Sequence, residues 1–215
     1  IRLGRRIYDN LRKAMGFIFA VHVPIAGLAL LPLAFGLPTL LGPVHIAFLE
    51  MVIDPACSLV FEAQREEDDV MRRPPRDPQE PLFSWGLIAW GLTQGAVAFA
   101  LVAGVYLYAL QRPMPVDEVR TLGFFCLVTA IVVLIFANRS FSASLASAFR
   151  QPGPALMAVL LGVPFMLALL LAWPQARALF RLGPMHLHDL AVMLSVAALL
   201  LLILETIKWI AARMA

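Results

Sequence analysis

Charge is scarce in this chain. Only 14% of its 215 residues are Asp, Glu, Lys or Arg, where a soluble domain carries roughly 25%. Hydrophobic residues make up 61% and mean hydropathy is +0.83. The shortage excludes a water-soluble globule and identifies an integral membrane protein whose surroundings are the lipid bilayer. Cysteine is nearly missing too. Cys57 and Cys126 both lie in apolar runs with no second pair and no Cys/His cluster, which excludes a disulfide framework or a thiolate zinc site. No signal peptide precedes the first apolar run. The chain begins at Ile1 rather than Met, as a piece of something longer would.

What is present is a set of long uncharged stretches: Ala14 to Leu49, Pro81 to Gln111, Thr121 to Asn138, Gln151 to Ala176 and Leu190 to Leu204. One spanning helix needs about 20 residues. The first stretch is too long for one span and breaks at "FGLPTLLGP" (35–43), where Gly and Pro enforce a turn. The sequence therefore predicts an all-α, polytopic bundle of six transmembrane helices, roughly 14–34, 44–62, 84–110, 120–138, 154–173 and 189–211, forming one membrane domain over 1–215. An even count places both termini on one side. Thirteen Lys and Arg residues fall on that side and four (Arg112, Arg120, Arg177, Arg181) on the other, so the positive-inside rule makes both termini cytosolic. The net charge of +3 is then mainly a topology signal and gives no support to nucleic-acid binding.

The longest polar segment is the cytosolic loop 63–83. Its acidic half (Glu66, Glu67, Asp68, Asp69, after Glu62) reads as a solvated surface, and its second half, with Pro74, Pro75, Pro78 and Pro81, as a stiff non-helical strap suited to docking another domain. On the opposite side, His186 and His188 form a pair without a further ligand nearby and read as interfacial histidines. Trp173 and Trp209 mark span ends, and Glu205 and Lys208, three apart, are expected to pair.

"HIAFLEMVIDPAC" (45–57) sets Glu50 and Asp54 inside the second span. An ionisable group at mid-bilayer costs a few kcal/mol on insertion scales, normally faces protein, and has a task. Four-residue spacing puts both carboxylates on one helical face, and two such charges in low dielectric settle by sharing a proton or a cation. Pro55 cannot donate to the Met51 carbonyl, so that oxygen becomes available as a further ligand of the kind hard cations prefer. In the first span, "AVHVPIAG" (20–27) repeats the pattern: Pro24 frees the Ala20 carbonyl, and His22 is a ligand, a proton carrier or a packed histidine bonded to a backbone carbonyl. The expected site is thus Glu50, Asp54, His22 and the Met51 and Ala20 carbonyls.

Three segments carry a family resemblance. "LGRRIYDNLRKAM" (3–15) resembles the stalk into the fifth membrane helix of cation-transporting P-type ATPases of the calcium-pump kind, "MRRPPRDPQEPLFS" (71–84) their proline-rich loop between helices six and seven, and "LETIKWIAAR" (204–213) the end of helix ten. The resemblance implies the C-terminal domain of such a pump, helices five to ten. It puts Asp54 at the helix-six aspartate, Glu50 at the asparagine one turn earlier and His22 at the helix-five asparagine. Ile25 stands where one glutamate would be, and Val132 or a neighbouring apolar residue where another would be, which implies that one of two calcium sites is missing.

The function expected on this basis is binding and translocation of one divalent cation, calcium by first choice, in an ATP-driven pump. No "DKTG"-like segment is present, so phosphorylation falls to other parts. The implied partners are the phosphorylation, nucleotide-binding and actuator domains and helices one to four, with Mg-ATP used there and no cofactor in this chain. The implied location is a bacterial-type plasma membrane. A proton-pumping ATPase is the alternative within the class, because His22 and two carboxylates equally serve proton transport. A stand-alone six-helix carrier or membrane scaffold is the alternative outside it, although no internal repeat of the kind carriers often show is visible.

Overall fold

The computed structural model describes residues 1–64, 66, 70–72, 74, 83–139 and 153–214. Among them are seven α-helices and no strand: α1 (Arg2–Phe35), α2 (Pro43–Pro55) continued by a π-helical segment (Ala56–Phe61), α3 (Trp85–Leu110), α4 (Val116–Asn138), α5 (Pro154–Ala172), a short α6 (Pro174–Phe180) and α7 (Leu187–Met214). Six are long and apolar enough to cross a membrane. Most of the proline-rich strap lies outside the described residues.

α4 is the central helix. Its membrane-spanning stretch is 83% buried, against 50% or less for the other five, and α1, α2, α3, α5 and α7 all pack on it. α1 and α3 cross most closely, because α3 presents Gly91 and Gly95, four apart on one face, to Gly16 and Ala20 of α1. A Cβ on Gly91 would lie 2.9 Å from the Gly16 carbonyl oxygen, and one on Gly95 2.5 Å from that of Ala20. Small residues four apart are the usual way for membrane helices to bring backbones together, since lipid supplies no hydrophobic drive between them. Beside the crossing, buried Gln94 and Asn138 exchange amide hydrogen bonds (3.2 and 2.8 Å) between α3 and α4.

The turn after α1 follows local chemistry. Gly36 takes the left-handed conformation (φ 65°) and its N–H, with that of Leu37, closes on the Pro32 carbonyl. The turn is then tied to its neighbours: the Tyr106 hydroxyl donates to the Pro38 carbonyl, and buried Arg120 donates to the carbonyls of Thr39 (3.1 Å) and Arg181 (3.0 Å) and to Asp117 (2.6 Å). At the opposite end α1 runs well below the predicted span, because its Arg-rich first turns have partners. Asn10 Nδ2 and Arg6 Nε donate to the Gln64 carbonyl (2.9 and 3.0 Å), Arg5 to that of Val70 (2.8 Å), and Arg2 pairs with Glu66. That hydrogen bond holds the Glu66 carboxyl below the usual range. Lys208 meets Glu205 as expected (3.5 Å), but its shorter bond, 2.7 Å, goes to the Ala137 carbonyl at the end of α4.

Candidate ion-binding site

α2 has two unlike faces. His45, Phe48, Leu49, Val52 and Ile53 are buried. His45, Phe48, Phe124 and Phe180 form an aromatic cluster with ring centroids 4.8 to 6.1 Å apart, which fixes the rotation of α2 about its axis. The opposite face carries Glu50, half-buried, Met51, 52% exposed, and Asp54, exposed. Glu50 and Asp54 share a face as their spacing requires, and it is the face that these six helices leave uncovered.

Immediately after Asp54 the helix changes type. Pro55 has no N–H to offer the Met51 carbonyl, the Ala56 N–H closes on Ile53 and Val52, and the chain continues as a π-helix to Phe61. Single π-turns inside α-helices recur at functional sites because they re-aim side chains and loosen the carbonyl ladder.

On α1, His22 is exposed, and its Nδ1 lies 2.8 Å from the Ile18 carbonyl oxygen. A carbonyl only accepts, so Nδ1 is the donor in this bond and Nε2 is left for other partners. Phe17 and Phe61 pack with ring centroids 5.3 Å apart and planes tilted by 36°, and set the relative depth of the two antiparallel segments. At 1.5 Å per residue, His22 is about 7.5 Å and Asp54 about 10 Å beyond that contact, so their depths agree to about one helical half-turn. The Ala20 carbonyl, expected among the ligands, lies against Gly95 in the α1–α3 crossing. Val132 is a half-buried apolar residue of α4 and brings no oxygen ligand.

Asp54 also lines a groove of about 980 Å³ that runs between the first turns of α1, at Arg6 and Asn10, and the π-helical segment with Leu59 and Glu62. Polar side chains thus line both ends of an otherwise apolar channel.

Two features escaped the sequence reading. The Gln94–Asn138 pair has no one-dimensional signature, although "GLTQG" (91–95) marks the crossing beside it. His186 and His188 are not a pair without a third ligand: Asp189, read only as the start of a span, lies with them, and one ligand atom from each of the three falls within 4.8 Å of the others.

Residues 38–210 match the family described as cation transporting ATPase, C-terminus. The chain is 29% identical over 144 residues (65% of this chain, 16% of the relative) to a calcium-transporting ATPase of Bacillus subtilis. It is 25% identical over 211 residues (97% and 23%) to one of Listeria monocytogenes, and 27% identical over 220 aligned positions (95% and 25%) to calcium-transporting ATPase 1 of Bacillus cereus. The chain spans a quarter or less of the length of these relatives. With a family match over most of its length, six apolar helices and a proline-broken carboxylate helix among them, the chain belongs to the cation-transporting P-type ATPases and represents their C-terminal membrane domain.

Proposed function

We propose that this domain binds and translocates one divalent cation, calcium, in an ATP-driven pump, at a mid-membrane site formed by Glu50, Asp54, His22 and the Met51 carbonyl. The observation that carries the reading is the uncovered face of α2, where two carboxylates four residues apart precede a proline-initiated π-segment. Two carboxylates in low dielectric repel unless a cation or proton lies between them. Calcium, which takes six to eight oxygens, satisfies both and has room for the Met51 carbonyl and for ligands from helix four of the same pump. The Ala20 carbonyl, which lies against Gly95 of α3, is a further candidate oxygen on the same stretch of α1. His22, whose Nδ1 is engaged by the Ile18 carbonyl, would contribute through Nε2.

The parent pump supplies the rest: Mg-ATP, an aspartyl phosphorylation site, nucleotide-binding and actuator domains and helices one to four, in a bacterial-type plasma membrane with both ends of this chain cytosolic. The names of the relatives support calcium. The titratable pair Glu50 and His22 favours protons as the second reading, since both sit where an asparagine would take neither charge nor proton. Family membership weighs against a stand-alone carrier or scaffold.

ATPase activity of the full-length protein separates these readings. Stimulation by micromolar calcium, abolished by Asp54→Ala and retained with weaker calcium affinity in Glu50→Gln, supports the calcium site. Stimulation by acid alone replaces calcium with protons, and calcium-stimulated turnover that survives Asp54→Ala overturns the site.

A further inference from the structure

We infer that His186, His188 and Asp189, where the chain enters α7, form a second metal site, for a zinc-like borderline divalent cation, at the membrane face opposite the chain termini. It is independent of the carboxylates on α2.

Asp189 carries the argument. It is only 3% exposed, and its Oδ2 accepts the His186 N–H at 2.7 Å. That bond caps the first turn of α7 and accounts for one oxygen. The other, Oδ1, is buried and has no hydrogen-bond partner, although His188 Nε2 lies only 3.1 Å away. A buried carboxylate oxygen without a donor costs the full desolvation of that group, so Oδ1 is suited to a cation shared with the neighbouring imidazoles. His186 Nδ1 stands 3.6 Å from Oδ2 on the other side.

One ligand atom from each of the three residues lies within 4.8 Å of the others. A tetrahedral zinc with bonds near 2.0–2.1 Å places its ligand atoms about 3.3 Å apart, so a small closing movement of the side chains is needed to hold the ion. The imidazoles are the exposed members, 51% and 68%, while the carboxylate is the anchored one. The rings stack at 5.5 Å with 18° between planes, so convergence on one ion requires them to rotate about χ2, which exposed rings do without repacking a core. Two imidazoles and a carboxylate are the donor set of zinc rather than calcium, which takes oxygen ligands, and three protein ligands leave a fourth position for water.

The test uses the full-length pump in detergent, titrated with zinc by calorimetry and with cobalt by visible absorption. One tight zinc per chain, a tetrahedral-type cobalt band, and an affinity weakened at least about tenfold in His188→Ala and Asp189→Asn support the site. The Asp189→Asn side chain keeps an acceptor for the His186 N–H, and His188→Ala leaves that cap untouched, so neither variant depends on losing the fold. Binding must persist in Asp54→Asn. Absence of micromolar zinc binding in the native protein, or equal binding by the His186→Ala/His188→Ala variant, overturns the proposal and leaves an imidazolium–carboxylate pair in its place.

Discussion

Gly95→Ala is the sharpest test of how the helices are assembled. The added Cβ would lie 2.5 Å from the Ala20 carbonyl oxygen and 2.6 Å from the Val23 Cβ, where ordinary contact begins at 3.4 Å. Both obstacles are fixed to the α1 backbone and cannot swing aside, so α1 and α3 must part locally by just under 1 Å. Overpacking of this kind costs about 1–3 kcal/mol, opposed by the roughly 1 kcal/mol that alanine gains over glycine in a helix interior. Gly104→Ala, on the same helix with nothing within 4 Å of its Cβ, isolates that propensity gain. The difference between the two variants therefore reads the strain alone. At roughly 2–4 °C per kcal/mol for a chain of this size, Gly95→Ala should melt several degrees below Gly104→Ala in a thermal unfolding assay in detergent. Equal melting temperatures would refute the close crossing. His22 lies between the two displaced residues, so the same variant should also weaken calcium stimulation of the full-length pump.

The buried Gln94–Asn138 pair should behave as a unit. Either single leucine substitution strands the partner's amide at about 1–3 kcal/mol, whereas Gln94→Leu/Asn138→Leu recovers much of the loss, a non-additivity that a double-mutant thermal series measures. Glu66 provides a pH signature. Its folded pKa lies below the unfolded value because of Arg2, so the pair's stabilisation is present above the unfolded carboxylate pKa near 4.5 and is lost as pH falls through the lower folded value. The pair is solvent-screened, so Glu66→Gln should leave melting unchanged at high salt and show a small loss at low salt that is full above about pH 4.5 and fades as pH falls below it.

The helices were legible wherever the chain was uniformly apolar, because a bilayer asks for little more than length and the absence of charge. Helix ends were harder. α1 extends to Arg2 because Asn10, Arg6 and Arg5 find backbone carbonyls in 62–70, a tertiary fact invisible in a run of charged residues. α6 escaped because seven residues are too few for periodicity to register. Within the site, the shared face of Glu50 and Asp54 followed from spacing alone. Which side of α2 is covered did not, since Ile46, Ala47 and Met51 are as apolar as Phe48, Leu49 and Val52. The aromatic cluster of His45, Phe48, Phe124 and Phe180, drawn from three helices, decides it. The surroundings of the Ala20 carbonyl were not legible for a related reason: proline says that an oxygen is freed, but the neighbouring Gly95 belongs to another helix.

The uncovered face of α2 constrains what must surround it. Each carboxylate left in hydrocarbon costs a few kcal/mol even on the most lenient scale, and Glu50 and Asp54 together would cost as much as a whole domain's usual margin of stability, about 5–15 kcal/mol. Lipid is therefore excluded as the neighbour of that face while both acids are charged. The groove beside α1 adjoins Asp54, but Glu50 lies one turn further from it, and Met51, 52% exposed between them, is an apolar side chain suited to packing against protein. A helix that packs on Met51 and brings oxygen ligands to a cation held between Glu50 and Asp54 suits this face. The relatives are at least four times longer than the stretch matched here, which leaves ample chain to supply such a helix. Removing either acid should then loosen the contact between that helix and α2 as well as the hold on the ion.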